Sequence, residues 1–265
     1  MFDRLFQDRS AVVTGGSSGI GLATASLLLS LGARVAICGR DAHRLAAAEA
    51  RLRERHAGAK LVARRCDVLD ASQVQSMAAA VDEAFGGCDV LVNNAGQGRV
   101  STFADTSDQD WHDEIRLKFF SQILPVRAFL PLLERSDAAA IVCVNSLLAL
   151  QPEPHMVATS AARAGVQNLM HSLAIELAPR GIRVNSILIG LVESGQWRRR
   201  FEQRPDRSQG WDDWSAELAR RKGIPLGRLG RPDEAAQAIA FLASPLASYT
   251  TGSALDISGG HARHI

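Results

Sequence analysis

Glycines at 15, 19 and 21 punctuate the run Thr14-Gly15-Gly16-Ser17-Ser18-Gly19-Ile20-Gly21, between the apolar stretch Ala11 to Thr14 and a helical pattern from about Ile20 to Leu31. A glycine-rich turn between a strand and a helix lets the backbone approach a pyrophosphate, whose charge then faces the helix N-terminus. The chemistry implied is dinucleotide binding, with Gly15, Ser17, Ser18, Gly19, Ile20 and Gly21 lining the turn. The next apolar run ends in Gly39 and Arg40. An acidic residue there would accept the ribose 2′-hydroxyl of NAD, whereas an arginine accommodates the 2′-phosphate of NADP. NADP(H) is therefore expected in preference to NAD(H).

Proton chemistry has its own candidates. His155 lies on the loop Gln151-Pro152-Glu153-Pro154-His155, stiffened by two prolines and carrying a carboxylate two residues away. A histidine with an ordinary pKa of about 6.5 suits proton transfer near neutral pH. Lysine is scarce: among 30 lysines and arginines only Lys60, Lys118 and Lys222 are lysines, so each invites a question.

Further motifs connect these groups. Asn93-Asn94-Ala95-Gly96 closes the apolar run Val90 to Val92, Asp67-Val68 follows Lys60 to Arg64, and Ser146 follows Ile141 to Val144 thirteen positions before Thr159. Over nearly its whole length the chain resembles the classical short-chain dehydrogenase/reductase family. The resemblance implies that Asp67 contacts the adenine ring, and that Val68, Asn94, Ala95 and Gly96 complete the cofactor site. Ile189-Gly190 stands at the family's Pro-Gly position and Ser194 where a threonine meets the nicotinamide carboxamide. It further implies that Ser146 hydrogen-bonds the substrate oxygen.

Three of the family's four catalytic positions depart from its pattern: Thr159 stands for tyrosine, Arg163 for lysine and Lys118 for asparagine. Ketone reduction needs a proton donor beside a hydride donor, and an alkyl hydroxyl is a far weaker acid than a phenol. Loss of acid catalysis costs roughly 10²–10⁴ in rate. Thr159 could still hold a carbonyl by a hydrogen bond. Arg163 stays cationic, offers donors to ribose hydroxyls and gives up no proton near neutral pH. Lys118 could return the missing positive charge from another side of the pocket, and His155 is the best substitute acid. The only tyrosine, Tyr249, is too far downstream to replace the missing one by a register slip.

The elements that must position these residues follow from periodicity. Apolar runs Ala11 to Thr14, Arg34 to Cys38, Lys60 to Arg64, Val90 to Val92, Ile141 to Val144, Arg183 to Leu188 and Ala254 to Ile257 alternate with helical patterns. Continuous apolar strands separated by helices indicate a parallel sheet covered on both faces. The expected class is a doubly wound α/β fold, Rossmann-like, in one domain over residues 1–265. A polar stretch from about 193 to 223 holds Trp197, Trp211 and Trp214 and is the expected substrate lid. Within it Arg198-Arg199-Arg200 is either a solvated basic face or a site for an anionic or aromatic small-molecule substrate.

Composition narrows the partners. A net charge of +2, without clustering, gives no reason to expect nucleic acid. No run nears the roughly 18 apolar residues of a membrane span, and a cytoplasmic protein is expected. Cys38, Cys66, Cys88 and Cys143 lack metal or redox spacing and read as buried small hydrophobes. His261 and His264 read as tail residues, with no third metal ligand at a useful spacing. The family resemblance implies a homo-oligomer, dimer or tetramer, formed through segments 119–133 and 157–178.

Three functions fit these residues: an NADP-dependent oxidoreductase with a rebuilt proton relay, acting on a carbonyl or hydroxyl; a catalytically inactive nucleotide sensor or assembly partner; and a non-redox lyase or isomerase using His155 or Lys118 as base.

Overall fold

Each of the seven apolar runs is a strand in the computed structural model, which describes residues 5–263: β1 Ser10–Thr14, β2 Arg34–Gly39, β3 Leu61–Arg65, β4 Val90–Asn93, β5 Ala140–Ser146, β6 Arg183–Ile189 and β7 Ala254–Ile257. They form one parallel sheet in the order β3-β2-β1-β4-β5-β6-β7. The central strands are apolar on both faces because helices cover both faces; Ala11, Val12 and Val13 are all fully buried. The fold is thus the doubly wound Rossmann-like arrangement that the alternation implied.

Among the described residues eight α-helices make the crossovers: α1 Gly19–Ser30, α2 Ala42–Arg55, α3 Ala71–Phe85, α4 Asp108–Leu133, α5 Val157–Leu177, α6 Gly195–Glu202, α7 Trp211–Lys222 and α8 Pro232–Ala243. Local chemistry sets their starts. Asp41 accepts from the Arg44 amide at the head of α2, and Asp70 from the Ser72 and Gln73 amides at the head of α3. Ser107 and Asp110 exchange bonds in a capping box that opens α4. Gly86, at φ 75°, ends α3 in the left-handed region.

Two hydrophobic layers result. Phe129, Leu133, Val166 and Met170 pack with Leu91 and Ile141 on the α3–α4–α5 face, while Leu28, Leu29, Leu45 and Ile239 pack with Val13 and Ile37 on the other. The four cysteines lie buried as free thiols, as expected. No described helix is long and apolar enough to cross a membrane.

Strand order reverses between β1 and β4, which carry the connection to β2 on one side and to β5 on the other. In an open α/β sheet the crevice beyond the C-terminal strand ends at that point is where ligands bind. Thr14, Asn93, Ser146 and Ile189 all end strands on this edge, which brings the glycine-rich turn and the proton-chemistry residues to one side of the molecule.

Candidate functional site

The glycine-rich turn is locked from below by side chains of β1 and the β4 end. Thr14 Oγ1 accepts from the Asn94 and Ala95 amides at 2.9 and 3.1 Å. Asn94 Nδ2 donates to the carbonyls of Thr14 and Gly15 at 2.9 and 3.1 Å. Gly15 and Gly19 hold φ of +66° and +53°, where a side chain is strained. At Gly21 the reason is space: a Cβ would stand 2.4 Å from the Gly15 carbonyl oxygen and 2.5 Å from Asn94 Nδ2. Ser18 precedes α1 without spending its side chain on a cap, so the first amides of the helix stay open to an anion.

This cradle fits a dinucleotide. Arg40 is exposed at the β2 end, beyond Gly39, and its carbonyl accepts from Arg65 Nε at 3.1 Å. Asp67 Oδ1 accepts from the Leu69 amide at 3.0 Å in the turn after β3, and Val68 is buried beside it. Gly190 packs so closely that a Cβ would meet the Ser258 Cβ at 2.9 Å. Ser194 caps α6, its oxygen accepting from the Trp197 amide at 3.4 Å. Ile20 and Gly96 lie on the same edge, at the start of α1 and in the segment after β4.

Ser146 ends β5 and starts the one-turn helix Leu147–Ala149, accepting from the Leu148 amide at 3.3 Å and keeping its own proton free to donate. Arg163, one turn past Thr159 on α5, donates from Nη1 to Asn145 Oδ1 at 3.2 Å, and its buried Nε has no partner among the described residues. A ribose hydroxyl would satisfy that orphaned donor, which is the fit the cofactor reading needs. Burial lowers the Arg163 pKa, with Cys143 and Glu114 opposing the shift. The guanidinium remains a cation at neutral pH.

Thr159 is not open to the crevice. It is 0% exposed, accepts from the Arg99 amide at 3.0 Å, and shares its proton between the Arg99 carbonyl at 3.2 Å and Glu114 Oε1. The hydroxyl expected to hold a substrate carbonyl is therefore engaged in the wall, because a β-branched side chain is too short to cross from the α5 backbone as a tyrosine does.

Lys118 is neither solvated nor unpaired. It is 5% exposed, and Nζ donates to Glu114 Oε1 and to the Gln97 carbonyl, each at 2.6 Å. Desolvation, helped by Arg163 and Arg99 and opposed by Glu114, lowers its pKa from 10.5 to about 8. That value places an ammonium acid within reach of physiological pH.

His155 lies on the loop after the serine strand and is exposed. Its side chain is 48% exposed, with Nδ1 3.5 Å from Glu153, and its carbonyl accepts from the Ser101 amide at 3.0 Å. It lines a cavity of about 350 Å³ with Arg99, Val100, Ser101, Thr102, Asp105 and Asp110. Ser146, Lys118 and Arg163 are not among the residues that line it, while Arg99 is shared with the Thr159 wall. His261 is no loose tail residue, since the chain buries it; His264 lies outside the described residues.

In the segment after β6, Trp197, Trp211 and Trp214 join Phe201 in one aromatic cluster, with ring centroids 5.4 to 6.4 Å apart. Arg198 stacks over Trp211 at 3.6 Å and pairs with Glu193 at 2.9 Å, while Arg200 lies over Trp197 at 4.7 Å. Two of the three consecutive arginines are therefore committed to the segment's own rings rather than left open to an anionic ligand.

Sequence reasoning missed Glu114, the residue that ties Lys118 to Thr159. The signal was present: Glu114 precedes Lys118 by four positions within a helical pattern, the spacing at which oppositely charged side chains meet.

Comparison with known proteins agrees with this geometry. A family model described as enoyl-(acyl carrier protein) reductase matches residues 15–262. An uncharacterized short-chain type dehydrogenase/reductase from Sinorhizobium fredii is 35% identical over 98% of this chain and 100% of its own length. The apo structure of a short chain oxidoreductase from Pseudomonas aeruginosa PAO1, described as containing an atypical catalytic center, is 66% identical, with TM-score 0.97 over 98% of this chain and 99% of that one. An NADPH-bound structure of the same description is 65% identical, with TM-score 0.95 over the full length of both chains.

Proposed function

The chain belongs to the short-chain dehydrogenase/reductase family of oxidoreductases, and on that footing we propose that it moves hydride between NADP(H) and the carbonyl or hydroxyl carbon of a small molecule. NADPH, when bound, supplies the hydride. Ser146 donates to the substrate oxygen, Arg163 holds ribose hydroxyls at its free Nε, and Lys118 replaces the missing tyrosine as proton donor.

The observation that carries this reading is the Lys118 ammonium, buried beside Glu114 and lowered to a pKa of about 8. A lysine at its ordinary value would be a poor acid near neutral pH, whereas burial beside Glu114 keeps Lys118 charged while desolvation eases the loss of its proton. As negative charge develops on a reduced oxygen, Ser146 offers a hydrogen bond and Lys118 a proton. Arg163 keeps the local potential positive without giving up a proton. Thr159 serves by fixing Glu114 and the Arg99 backbone. The NADPH-bound short chain oxidoreductase, at 65% identity, supports the cofactor choice.

Calorimetric titration with NADPH and NADH in parallel comes first, followed by NADPH oxidation against a panel of aldehydes, ketones and ketoses. Lys118→Gln is expected to lower kcat/KM for a turned-over carbonyl by roughly 10²-fold or more. Unchanged turnover in that variant would remove Lys118 from the role. Binding of neither nucleotide by folded protein would favour an assembly partner over an enzyme. We also expect a dimer or tetramer formed through α4 and α5, where Phe120 and Ile175 stand exposed; light scattering of the purified chain decides it.

A further inference from the structure

Glu114 is 3% exposed, and one of its oxygens holds two side chains at once. Oε1 accepts from Lys118 Nζ at 2.6 Å and from Thr159 Oγ1, which links α4 to α5 across the crevice wall. Among the described residues it is the only side chain that accepts from Lys118, whose other partner is the Gln97 carbonyl. The remaining charged neighbours of Lys118 oppose its charge: Arg163 from α5, with Cys143 of β5 behind it, and Arg99 from the segment after β4. A buried ammonium in such a setting is costly without a carboxylate against it.

Glu114 also lines a second cavity, of about 190 Å³, with Arg40, Leu69, Gln97, Arg99 and Arg116. Arg40, Gln97 and Arg116 are exposed, so this cavity opens to solvent. Glu114 and Lys118 are both nearly shut off from bulk solvent, at 3% and 5% exposed, and of the two it is Glu114 that lines this cavity.

We infer that Glu114 is the positioning residue of this site, holding Lys118 as an ammonium and serving as the group through which Lys118 regains a proton from solvent. The inference rests on Lys118 being the proton donor. When Lys118 gives a proton to the substrate oxygen, an N–H bond breaks, an O–H bond forms and a neutral amine remains beside the carboxylate. A solvent proton arriving through the cavity binds the Glu114 carboxylate, and the resulting acid passes it along the 2.6 Å contact to the amine. The ammonium–carboxylate pair is restored with one proton taken from solvent and none left over.

With only three lysines in the chain, Lys118 can be followed directly by ¹³C NMR of protein labelled at lysine Cε, its resonance assigned by loss in Lys118→Gln. Glu114→Gln keeps the shape and an acceptor but removes the charge. We expect Lys118 in that variant to bind its proton at least about tenfold more weakly, and Glu114→Asp, which keeps a carboxylate, to recover most of the loss. A Lys118 titration unmoved by Glu114→Gln overturns the inference, since a purely structural glutamate would leave it in place. Should that variant fail to fold, the wild-type titration decides. A Lys118 step well below the ordinary lysine value of about 10.4 supports the inference. A step at that ordinary value overturns it. Carbonyl reduction unaffected by Lys118→Gln would instead defeat the donor reading while the titration still reported on Glu114.

Discussion

Asn145 and Arg163, at the end of β5 and on the first turns of α5, hold each other by reciprocal bonds: Arg163 Nη1 donates to Asn145 Oδ1 at 3.2 Å, and Asn145 Nδ2 donates to the Arg163 carbonyl at 3.2 Å. Asn145 Nδ2 also reaches Gln167 Oε1 at 3.3 Å. The amide therefore aims the guanidinium and clamps α5 onto the sheet. Asn145→Ala leaves buried polar groups unpaired and is expected to cost about 1–3 kcal/mol of stability. Urea unfolding measures this, and a midpoint equal to wild type would show that the pair contributes nothing.

At the cofactor turn the expected outcome is steric. Gly21→Ala places a methyl group 2.4 Å from the Gly15 carbonyl oxygen, a contact that only movement of the turn can relieve. Overpacking of this kind costs about 1–3 kcal/mol, and the displaced turn should lose most of its NADPH affinity. Calorimetry on folded variant protein is the check; wild-type affinity would mean that the turn does not approach the pyrophosphate.

We propose that Arg40 governs nucleotide choice. It stands exposed at the β2 end beside the Arg65 guanidinium, which donates to its carbonyl at 3.1 Å. Arg40→Asp is expected to weaken NADPH binding much more than NADH binding, by an amount worth about 1.5–3 kcal/mol for a charge-assisted contact. Equal losses for the two nucleotides would remove Arg40 from the 2′-phosphate.

Stability should depend on pH through Lys118. Its folded pKa of about 8 lies below the ordinary 10.5, so between those values the unfolded chain binds the proton more tightly than the folded one. Stability then rises with pH across this window. The full penalty, about 3 kcal/mol from the size of the shift, applies below pH 8 and disappears above the ordinary lysine value. The difference in unfolding free energy between wild type and Lys118→Gln should move in favour of the wild type by about 2 kcal/mol between pH 7.5 and 10. Parallel profiles would place the charge elsewhere.

How far the residues alone reach can be seen element by element. The seven strands and the glycine-rich turn are legible because each rests on local rules: apolar runs of strand length, helical periodicity between them, and glycines where a turn meets a helix. The doubly wound class follows, since a strand apolar on both faces has to be covered on both. Arg40 at the end of β2 and Ser146 at the end of β5 are likewise positions along an element, and the end of a strand is an address that sequence can give.

Side-chain direction has no such address. Whether Lys118 faces solvent or the interior depends on how α4 rolls against α5 and the sheet, and the packing turned it inward to Glu114 and the Gln97 carbonyl. Thr159 could be numbered against a missing tyrosine, yet only the approach of the Arg99 backbone, 60 residues away, shows that its hydroxyl is already spent. The loop after the serine strand suggests His155 over the crevice, and only the fold shows that its carbonyl accepts from the Ser101 amide and that its side chain lines a cavity with Arg99 and Asp110. The sequence by itself determined the scaffold, the cofactor edge and the loss of the tyrosine, all of which depend on residues near one another in the chain. The tertiary structure alone decided which charged groups share a buried space, because that depends on contacts between segments the chain brings together only on folding.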